Sequence, residues 1–353
     1  NYDPTALTDD GSCTYCVYGC TDPIAPNYNA SATCEDGSCN PPSIYGCTDF
    51  YANNYDPLAT IDTIGLCIYT KTYVPDDIFE AYLEATGYGD GIGFNDSVIT
   101  SALANIYSLS IDNLSISDLT GINDMVGLGN LYAYNNNLSG TIDFSSFNTL
   151  QYISLDNNQI SQVILPDSVS YSGTMNLSLT NNIITSIFFP QTLRVNSISM
   201  QNNPLDSIDV STLYDLSYFR ISNTNISSLD LSNNNNLYAV EAYDNTLLTS
   251  LDLKNKNNLY EIRIYNNVSL NAFDMRNIDL FGLSNNSYYV NILNNNSLNC
   301  ISVDNVLVAD ALLDIDAWCS FSTNCTGLGC TDSTAINYDP TALTDDGSCT
   351  YCV

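Results

Sequence analysis

The sequence predicts a mainly β fold, in which a solenoid of short strands carries an N-terminal helical cap and is flanked by small, loop-rich modules held by disulfides. Three observations predict it. A line of alternating apolar residues followed by asparagine recurs about every 21 to 24 residues through the middle of the chain. All 13 cysteines lie toward the two ends, with none between Cys67 and Cys300. Residues 1–17 recur, without a substitution, as residues 337–353.

The repeated string at the two ends predicts that residues 1–336 are one period of a longer tandem array. Self-similarity at a long, fixed period is typical of stacked or strung-out arrays and not of single catalytic domains. The alternative is that two short cysteine modules flank one domain and match by coincidence, although short modules normally diverge.

The charge balance excludes several classes of function. The chain has 7 basic and 39 acidic residues, no histidine and a net charge of −32, so it would repel nucleic acid and anionic membranes. The lack of histidine excludes Ser/His/Asp and Cys/His catalysis and most zinc enzymes. No apolar run is long enough to cross a bilayer. We therefore expect no nucleic-acid partner, no membrane insertion and no enzymatic activity.

Three cysteine modules begin with Gly-Cys-Thr-Asp, at residues 19–39, 46–67 and 329–349, and residues 1–17 form the end of a fourth. Each module is too short to bury a core, so a disulfide between its outer cysteines is expected. Clustered cysteines also indicate an oxidising, extracellular or cell-surface location. The expected pairs are Cys20 with Cys39, Cys47 with Cys67, and Cys330 with Cys349.

Further cysteines predict bridges of other kinds. A bridge from Cys16 to Cys34 would clamp neighbouring modules, and one from Cys300 to Cys325 would close the end of the solenoid. Cys319 is then unmatched, and either stays a free thiol or pairs between molecules.

The modules place carboxylate and amide oxygens around tight glycine turns, and calcium prefers such ligands. The spacing differs from that of an EF-hand, and Asp and Asn also cap turns through their own side chains. Calcium binding and simple turn capping are thus both open. The residues expected to bind calcium are Asp9, Asp10, Asp22, Asn27, Asp36, Asp49, Asn54, Asp332, Asn337, Asp345 and Asp346.

A short helix is expected after Pro75, because proline suits the first helical turn and Asp76 and Asp77 suit its positive end. Ile78, Phe79, Tyr82 and Leu83 recur on one face of this helix, and Gly87 ends it. Its apolar stripe is expected to cover the first coil of the solenoid.

The repeat begins near Ile106 and predicts one short strand per coil, with alternate residues facing the core. The asparagine after each strand is expected to bond the backbone of neighbouring coils. Segments such as TIDF, SIFF, SIDV, SLDL and AFDM predict a second strand on the opposite side. The expected asparagine ladder is Asn136, Asn158, Asn182, Asn203, Asn245, Asn267 and Asn295, with Thr224 replacing one rung.

Two resemblances follow from these motifs. The GCTD…NY…DDGSC modules resemble repeats that occur in strings in extracellular proteins of Bacteroidota and some viruses, which implies a spacer or surface module. The YVPDD cap, the SLDLSNN lines and the closing Leu-Asn-Cys segment resemble secreted leucine-rich repeat proteins of Bacteroidota, which implies an interaction protein without catalysis. The expected boundaries are cysteine modules at 1–17, 18–45, 46–70 and 329–353, a helical cap at 71–104, the solenoid at 105–299 and a disulfide-closed cap at 300–328.

Tyrosines recur at the outward positions of the first strand. On a rigid concave sheet they can hold a glycan or a protein, because tyrosine buries a large area with little entropy loss and offers a hydroxyl. The alternatives are that tyrosine simply favours solvent-facing strands, and that Arg220, Glu241, Glu261 and Arg263 only pair with each other. The expected ligand face is Tyr132, Tyr134, Tyr152, Tyr218, Tyr243 and Tyr265.

The sequence therefore predicts a non-enzymatic structural subunit of an extracellular or cell-surface fibre, built from tandem repeats of the leucine-rich solenoid and calcium-binding disulfide modules. Copies of the unit could join through one polypeptide, through disulfides between chains or through calcium, and the sequence leaves these alternatives open. The alternative is a single-copy adhesin or receptor that binds a glycan or protein on the tyrosine-rich face. A glycoside hydrolase with two carboxylates is a distant third, because no motif places such a pair.

Overall fold

The computed structural model describes residues 4–5, 7–8, 10–12, 14–50, 52–62, 67–169, 173–284, 290–325, 328–336, 338, 340, 342, 344–345 and 349–351. The chain divides into two compact units, Asn1–Lys71 with Ile99–Ala102, and Thr72–Val98 with Leu103–Val353. Among the described residues, no helix is long and apolar enough to cross a membrane. The finer boundaries expected from the sequence stay predictions.

The first unit consists of disulfide-bonded loops with little regular structure. Its one two-stranded sheet, among the described residues, pairs β1 (Tyr45–Gly46) in parallel with β2 (Ile61–Asp62). Each module contains a turn closed by an aspartate carbonyl, which accepts a hydrogen bond from the backbone N–H of the residue three positions later. The N–H of Ala25 donates to Asp22, and that of Ala52 donates to Asp49, both at 3.1 Å. The modules are thus built from turns and cross-links, as their small size requires.

A strand pair and two short helices precede the solenoid. They are β3 (Lys71–Tyr73), α1 (Asp77–Ala85), β4 (Ser97–Ile99) and α2 (Thr100–Leu103), and β3 pairs with β4. Asp76 caps α1 by accepting bonds from the backbone N–H groups of Ile78 and Phe79, and Gly87 follows the helix with a φ of +85°. The helix therefore begins after Pro75 and ends before Gly87, as predicted, but Pro75 precedes the N-cap and does not lie in the first helical turn.

One assignment on the face of α1 is wrong. Phe79 and Leu83 are fully buried, but Ile78 is 43% exposed and the Glu80 side chain is buried in its place. The carboxylate of Glu80 accepts hydrogen bonds from the backbone N–H groups of Asn95 (3.0 Å) and Asp96 (3.2 Å). Burial of Glu80 therefore satisfies two loop donors, which the apolar pattern alone did not reveal.

The solenoid occupies most of the second unit. Its strands follow as β5 (Ser108–Ser110), β6 (Asn130–Tyr132), β7 (Ser139–Asp143), β8 (Tyr152–Ser154), β9 (Gln159–Ile164), β10 (Met175–Ser178), β11 (Val195–Ser199), β12 (Tyr218–Arg220), β13 (Ala239–Glu241), β14 (Ser250–Asp252), β15 (Glu261–Arg263), β16 (Ala272–Asp274), β17 (Val290–Asn291), β18 (Cys300–Ser302) and β19 (Ser320–Ser322). Between them lie a 3₁₀ helix at Ile122–Asp124, α3 (Leu280–Ser284) and α4 (Val306–Leu312).

Nine of these strands form one parallel sheet, which we name the long sheet, in the order β5-β6-β8-β10-β11-β12-β13-β15-β17. A four-stranded parallel sheet, the short sheet, has the order β14-β16-β18-β19, and β7 pairs with β9. One strand per coil, stacked in register along the chain, is the arrangement of a leucine-rich repeat solenoid. The fold class predicted from the sequence is confirmed.

The core is a continuous apolar column, to which the strands of the long sheet from β5 to β15 each contribute an inward-facing residue. These residues are at most 2% exposed from β5 to β15: Leu109, Leu131, Ile153, Leu177, Ile198, Phe219, Val240 and Ile262. Most residues on either side of them are only partly buried, although Ala239 and Glu241 in β13 are buried as well. The period-two alternation in the sequence thus correctly predicted which side chains are buried.

The asparagine ladder is confirmed. The Asn158 side chain, 8% exposed, donates to the carbonyls of Ala133 (3.1 Å) in the preceding coil and Leu155 (2.9 Å) in its own, and it accepts from the N–H of Leu138. Where threonine replaces asparagine in the ladder, the hydroxyl of Thr224 donates to Oδ1 of Asn245 at 2.7 Å. The ladder satisfies backbone groups that would otherwise be buried unpaired at every turn.

A second amide ladder, which the sequence analysis did not identify, lies one residue earlier. Asn157, Asn181, Asn202 and Asn223 all have a φ between +53° and +57°. Each of the last three donates from Nδ2 to Oδ1 of its predecessor, at 2.5, 2.6 and 2.8 Å. Asparagine tolerates the left-handed conformation that this turn needs, so the doubled asparagines serve two separate purposes.

The prediction of a second strand in every coil is wrong in part. TIDF, the later SLDL and AFDM lie in β7, β14 and β16, but the residues 186–189, 207–210 and 228–231 form no strand. Val210 and Leu231 are nevertheless buried, each 1% exposed. Alternation therefore predicted which residues face inward, whereas strand pairing depends on the spacing between coils, which alternation does not specify.

The end of the second unit contains the third module. Here β20 (Leu328–Gly329) pairs in parallel with β21 (Thr344–Asp345). As in the other modules, the carbonyl of an aspartate, Asp332, accepts a bond from the alanine three residues on, Ala335, at 3.0 Å.

Candidate ligand-binding face

The outward positions of the long sheet carry aromatic side chains in columns. Tyr218 in β12, Tyr238 just before β13 and Tyr260 just before β15 stand one above another. Their ring centroids are 5.6 Å apart between Tyr218 and Tyr238, and 5.1 Å apart between Tyr238 and Tyr260, where the rings are stacked. The parallel register pairs Tyr218 with Ala239, and Ala239 with Glu261. Tyr238 and Tyr260 therefore occupy equivalent positions of successive coils, whereas Tyr218 lies one residue further along its strand.

A second column stands at the other end of the same strands. Tyr243 and Tyr265, just after β13 and β15, are stacked with centroids 4.5 Å apart and planes only 4° from parallel. Burial raises the pKa of Tyr265, and the neighbouring Tyr243 adds to that shift. The Tyr265 hydroxyl therefore stays protonated at neutral pH and can donate to a ligand.

A network of four charges lies between the two columns. Arg220 and Glu241 on adjacent strands form an ion pair at 2.7 Å, and Glu261 and Arg263 on β15 form another at 2.8 Å. The Arg220 guanidinium also lies 5.7 Å from the centroid of the Tyr218 ring. The two arginines compensate the two carboxylates of this network, and Asp244 beside Tyr243 adds a further negative charge near Tyr265.

We name these nine residues the tyrosine face: Tyr218, Tyr238, Tyr243, Tyr260, Tyr265, Arg220, Glu241, Glu261 and Arg263. The pairing of the charged residues with each other was an expected alternative, and it occurs. It does not exclude binding, since paired charges hold the arginine and carboxylate groups in fixed positions between the rings.

The other predicted tyrosines form a smaller patch nearer the start of the long sheet. The rings of Tyr132 and Tyr152 lie 5.0 Å apart on β6 and β8. Tyr134 is held separately, because its hydroxyl bonds the carboxylate of Asp112, which raises the pKa of Tyr134. The structure thus brings the six predicted tyrosines into two places and not into one continuous surface.

Tyr238 and Tyr260 were not among the tyrosines that the sequence predicted for the ligand face. Both lie one residue before a strand, outside the alternating pattern that was used to choose outward positions. A signal did exist, because the string Asn-Leu-Tyr precedes both β13 and β15. The backbone N–H of Tyr260 donates to the carbonyl of Tyr238 at 2.8 Å, and this bond sets the two rings in register.

The side chains expected to bind calcium are engaged in turns. Asp10, Asp22, Asp36 and Asp332 each accept the backbone N–H two residues on at 2.9 Å. Such bonds belong to the turn-capping alternative. The pKa of Asp36 is lowered because it accepts hydrogen bonds from Ser38.

The next three expected ligands, Asn27, Asn54 and Asp49, accept hydrogen bonds from residues at the end of their module or just after it. Asn27 and Asn54 accept the backbone N–H groups of Asn40 and Ile68, both at 2.8 Å. The Tyr69 hydroxyl donates to Asp49 at 2.5 Å, a bond that raises the pKa of Tyr69 to about 12. Three expected ligands, Asp9, Asn337 and Asp346, and the side chain of Asp345 lie outside the described residues.

In the part of the chain that the structure describes, two groups of three Cys, Asp or Glu residues could hold a metal ion, and within each group the potential ligand atoms lie within 4.8 Å of one another. One is Cys20, Glu35 and Cys39, but these cysteines are joined in a disulfide and offer no thiolate. The other is Asp77, Glu80 and Asp96 beside α1. Neither group contains an expected calcium ligand, so calcium binding by the modules stays a prediction.

The cysteines within the described residues form five disulfides. They pair Cys16 with Cys34, Cys20 with Cys39, Cys47 with Cys67, Cys300 with Cys325, and Cys330 with Cys349, which are the expected pairs. Cys319 carries a free thiol, and burial raises its pKa to about 11. A raised pKa makes a thiol a poorer nucleophile at neutral pH, and pairing of Cys319 between molecules stays a prediction.

Comparison with solved structures finds similar chains. Internalin C2 from Listeria monocytogenes is 17% identical with a TM-score of 0.36, over 66% of this chain and 97% of that one. The functional domain of InlJ from the same organism is 16% identical with a TM-score of 0.23, over 70% of this chain and 81% of that one. A leucine-rich repeat protein of Leptospira interrogans is 16% identical with a TM-score of 0.40, over 64% and 62%.

No protein-family model matches the chain, and no curated protein matches it. The structural similarities concern the fold only, at identities and scores too low to say anything about a ligand.

Proposed function

We propose that this chain is a secreted or surface-exposed, non-enzymatic recognition protein that binds a protein ligand on the tyrosine face. The observation that carries the proposal is the arrangement of that face, in which two tyrosine columns flank a compensated network of four charges. Tyrosine and arginine are the residues in which binding energy concentrates at protein interfaces.

The size of the surface favours a protein over a short glycan. The long sheet has nine strands, and at about 4.8 Å per strand it extends for roughly 40 Å. Between the tyrosine face and the Tyr132–Tyr152 patch, the outward residues of β10 and β11 are small and polar, such as Ser178 and Ser199. Two aromatic centres separated by a polar stretch fit an extended interface with two points of strong contact.

The five disulfides support an oxidising location, since such bonds persist mainly outside the cytosol. The acidic surface supports selectivity, because a net charge of −32 discourages nonspecific association with other acidic molecules.

The test is affinity capture from the native extracellular medium with three proteins. They are the wild type, the Tyr243→Ala/Tyr265→Ala variant, and a control variant, Phe188→Ala/Tyr214→Ala. The control removes rings that are 76% and 62% exposed and lie outside the tyrosine face. A protein that the wild type and the control capture, and that the face variant captures at least tenfold less, supports the proposal. Equal capture by all three contradicts it.

A second candidate function is a structural subunit of a fibre. Two observations favour it, namely the identity of residues 1–17 with residues 337–353 and the disulfide from Cys16 to Cys34, which joins consecutive modules. Calcium at the modules would stiffen the joints between units.

Electron microscopy in calcium, then in a chelator and then in a reductant, tests the fibre and the calcium sites together. Long fibres with a regular axial repeat that soften in the chelator are the expected result. Isolated particles under all three conditions would exclude the fibre. Fibres that the chelator leaves unchanged would leave turn capping as the role of the aspartates.

A further inference from the structure

We propose that the outer face of the short sheet binds a neutral oligosaccharide, at a site separate from the tyrosine face. A groove of about 890 Å³ lies there, across β14, β16, β18 and β19. The inward residues Leu251, Phe273, Ile301 and Phe321 are buried in the core, so the floor of the groove is formed by the alternate, outward residues.

The floor consists of two rows that follow from the strand register. Ser250, Ala272, Cys300 and Ser320 form one row, and Asp252, Asp274, Ser302 and Ser322 form the other. All these side chains are small or short. Cys300 and Ser302 are buried, since Cys300 is bonded to Cys325 and the Ser302 hydroxyl accepts the backbone N–H of Cys325. The exposed floor is formed by the remaining residues, with Ser250, Asp252, Ala272 and Ser320 the most exposed. Three strand spacings of about 4.8 Å make the groove roughly 14 Å long, which suits two or three sugar rings.

Trp318 stands at the wall of this groove and is the single tryptophan of the chain. Its side chain is fixed, since the indole N–H donates to the carbonyl of the ladder residue Asn295 at 3.4 Å. The residue is nevertheless 50% exposed. A held, half-exposed aromatic ring offers a flat apolar surface whose ordering costs little on binding.

The charges of the groove favour a neutral ligand. Arg276 Nε lies 3.0 Å from Asp274 Oδ1, so this carboxylate is compensated, while Asp252 remains exposed at the next strand. An anionic ligand would meet Asp252 and the overall charge of −32. Hydroxyl groups of a ligand, by contrast, can donate to these carboxylates and accept from Arg276.

An oligosaccharide matches this combination better than a lipid or a peptide strand. A sugar ring has an apolar face of C–H groups for the indole and a rim of hydroxyls for Ser250, Asp252 and Asn299. A lipid chain would bury these polar side chains without partners. A peptide strand gains no ladder bonds on this face, because the backbone groups of a sheet lie in its plane.

The experiment titrates the native protein with maltotriose, cellotriose and chitotriose and records tryptophan fluorescence and binding heat. Because Trp318 is the single tryptophan, its emission reports this groove alone. At least one sugar is expected to give a saturable emission change together with binding heat, and Trp318→Ala should weaken the binding about tenfold or more.

Two further variants make the result decisive. Ala272→Arg is exposed and should fold normally but fill the floor, so it should abolish the binding, while Tyr265→Ala on the tyrosine face should leave it unchanged. The absence of binding heat with all three sugars would overturn the proposal, as would binding that survives both Ala272→Arg and Trp318→Ala. Neither result bears on the protein ligand of the tyrosine face.

Discussion

The rings of Tyr243 and Tyr265 stack 4.5 Å apart across neighbouring coils, although the residues are separated by a complete turn of the solenoid. The contact depends on the pairing of Val240 with Ile262, which sets β13 and β15 in register. A binding surface on this fold is therefore a consequence of the repeat period, since each coil places its residues directly above those of the coil before.

The tyrosine stack should itself contribute to stability. We expect a double-mutant cycle of Tyr243→Ala and Tyr265→Ala to give a coupling free energy of about 0.5 to 1.5 kcal/mol, the usual range for an aromatic pair. The free energy of unfolding in urea is the measurement. Strict additivity of the two substitutions would mean that the rings touch without stabilising each other, and they would then be free to separate around a ligand.

The N-cap of α1 should make stability depend on pH. One carboxylate oxygen of Asp76 caps the helix, and the other accepts two bonds at 2.8 Å from the backbone and hydroxyl of Ser117. Burial raises the pKa of Asp76, but these hydrogen bonds outweigh it and leave the pKa below its usual value.

A lowered pKa means that the stabilisation is present above the pKa of the unfolded chain and is lost as the pH falls through the folded pKa. We expect Asp76→Asn to lower the free energy of unfolding by about 1 kcal/mol at pH 7, and the difference from the wild type to shrink toward pH 3. Asp77→Asn, at an exposed neighbour, is the control. A difference that stays constant with pH would show that the charge of Asp76 contributes nothing.

The two asparagine ladders should contribute differently to the free energy of unfolding. Asn182 is 6% exposed and donates to Leu155 and Leu179, both at 3.0 Å, so Asn182→Ala leaves buried backbone groups unpaired. We expect it to lower the free energy of unfolding by about 2 to 4 kcal/mol. Asn181→Gly keeps the positive φ and should change it by no more than about 0.5 kcal/mol. If Asn182→Ala and Asn181→Gly lowered the free energy of unfolding equally, by thermal or urea unfolding, the proposed difference between the two ladders would be contradicted.

Cys319 should resist alkylation in the folded protein. With a pKa of about 11, roughly one thiol in a thousand is ionised at pH 8, and only the thiolate reacts. Iodoacetamide labelling, located by peptide mapping, should be about a hundredfold slower than in the denatured chain and should accelerate as the pH approaches 11. Rapid labelling at pH 8 would show that the thiol is reachable and ionised, and would restore a bridge between molecules as a possibility.

The sequence alone determined most of the architecture, because its signals act locally. Alternation in each coil identified the buried residues, Asn158 and its equivalents identified the turns, and the Pro75–Asp77 string located the helix start. The cysteine spacing gave the pairs that close the modules. Each of these depends on neighbours within one coil or one module, and such neighbours are fixed by the chain itself.

Other features were decided only by the tertiary structure, because they depend on the spacing between coils. It determined that Tyr238 and Tyr260 join Tyr218 in one column, that Glu80 is buried in place of Ile78, and that three of the expected second strands remain unpaired. It also placed Trp318 beside strands that begin as much as 68 residues earlier, at Ser250. Contacts of this kind arise when separate turns pack together at one distance, and no single stretch of sequence specifies that distance.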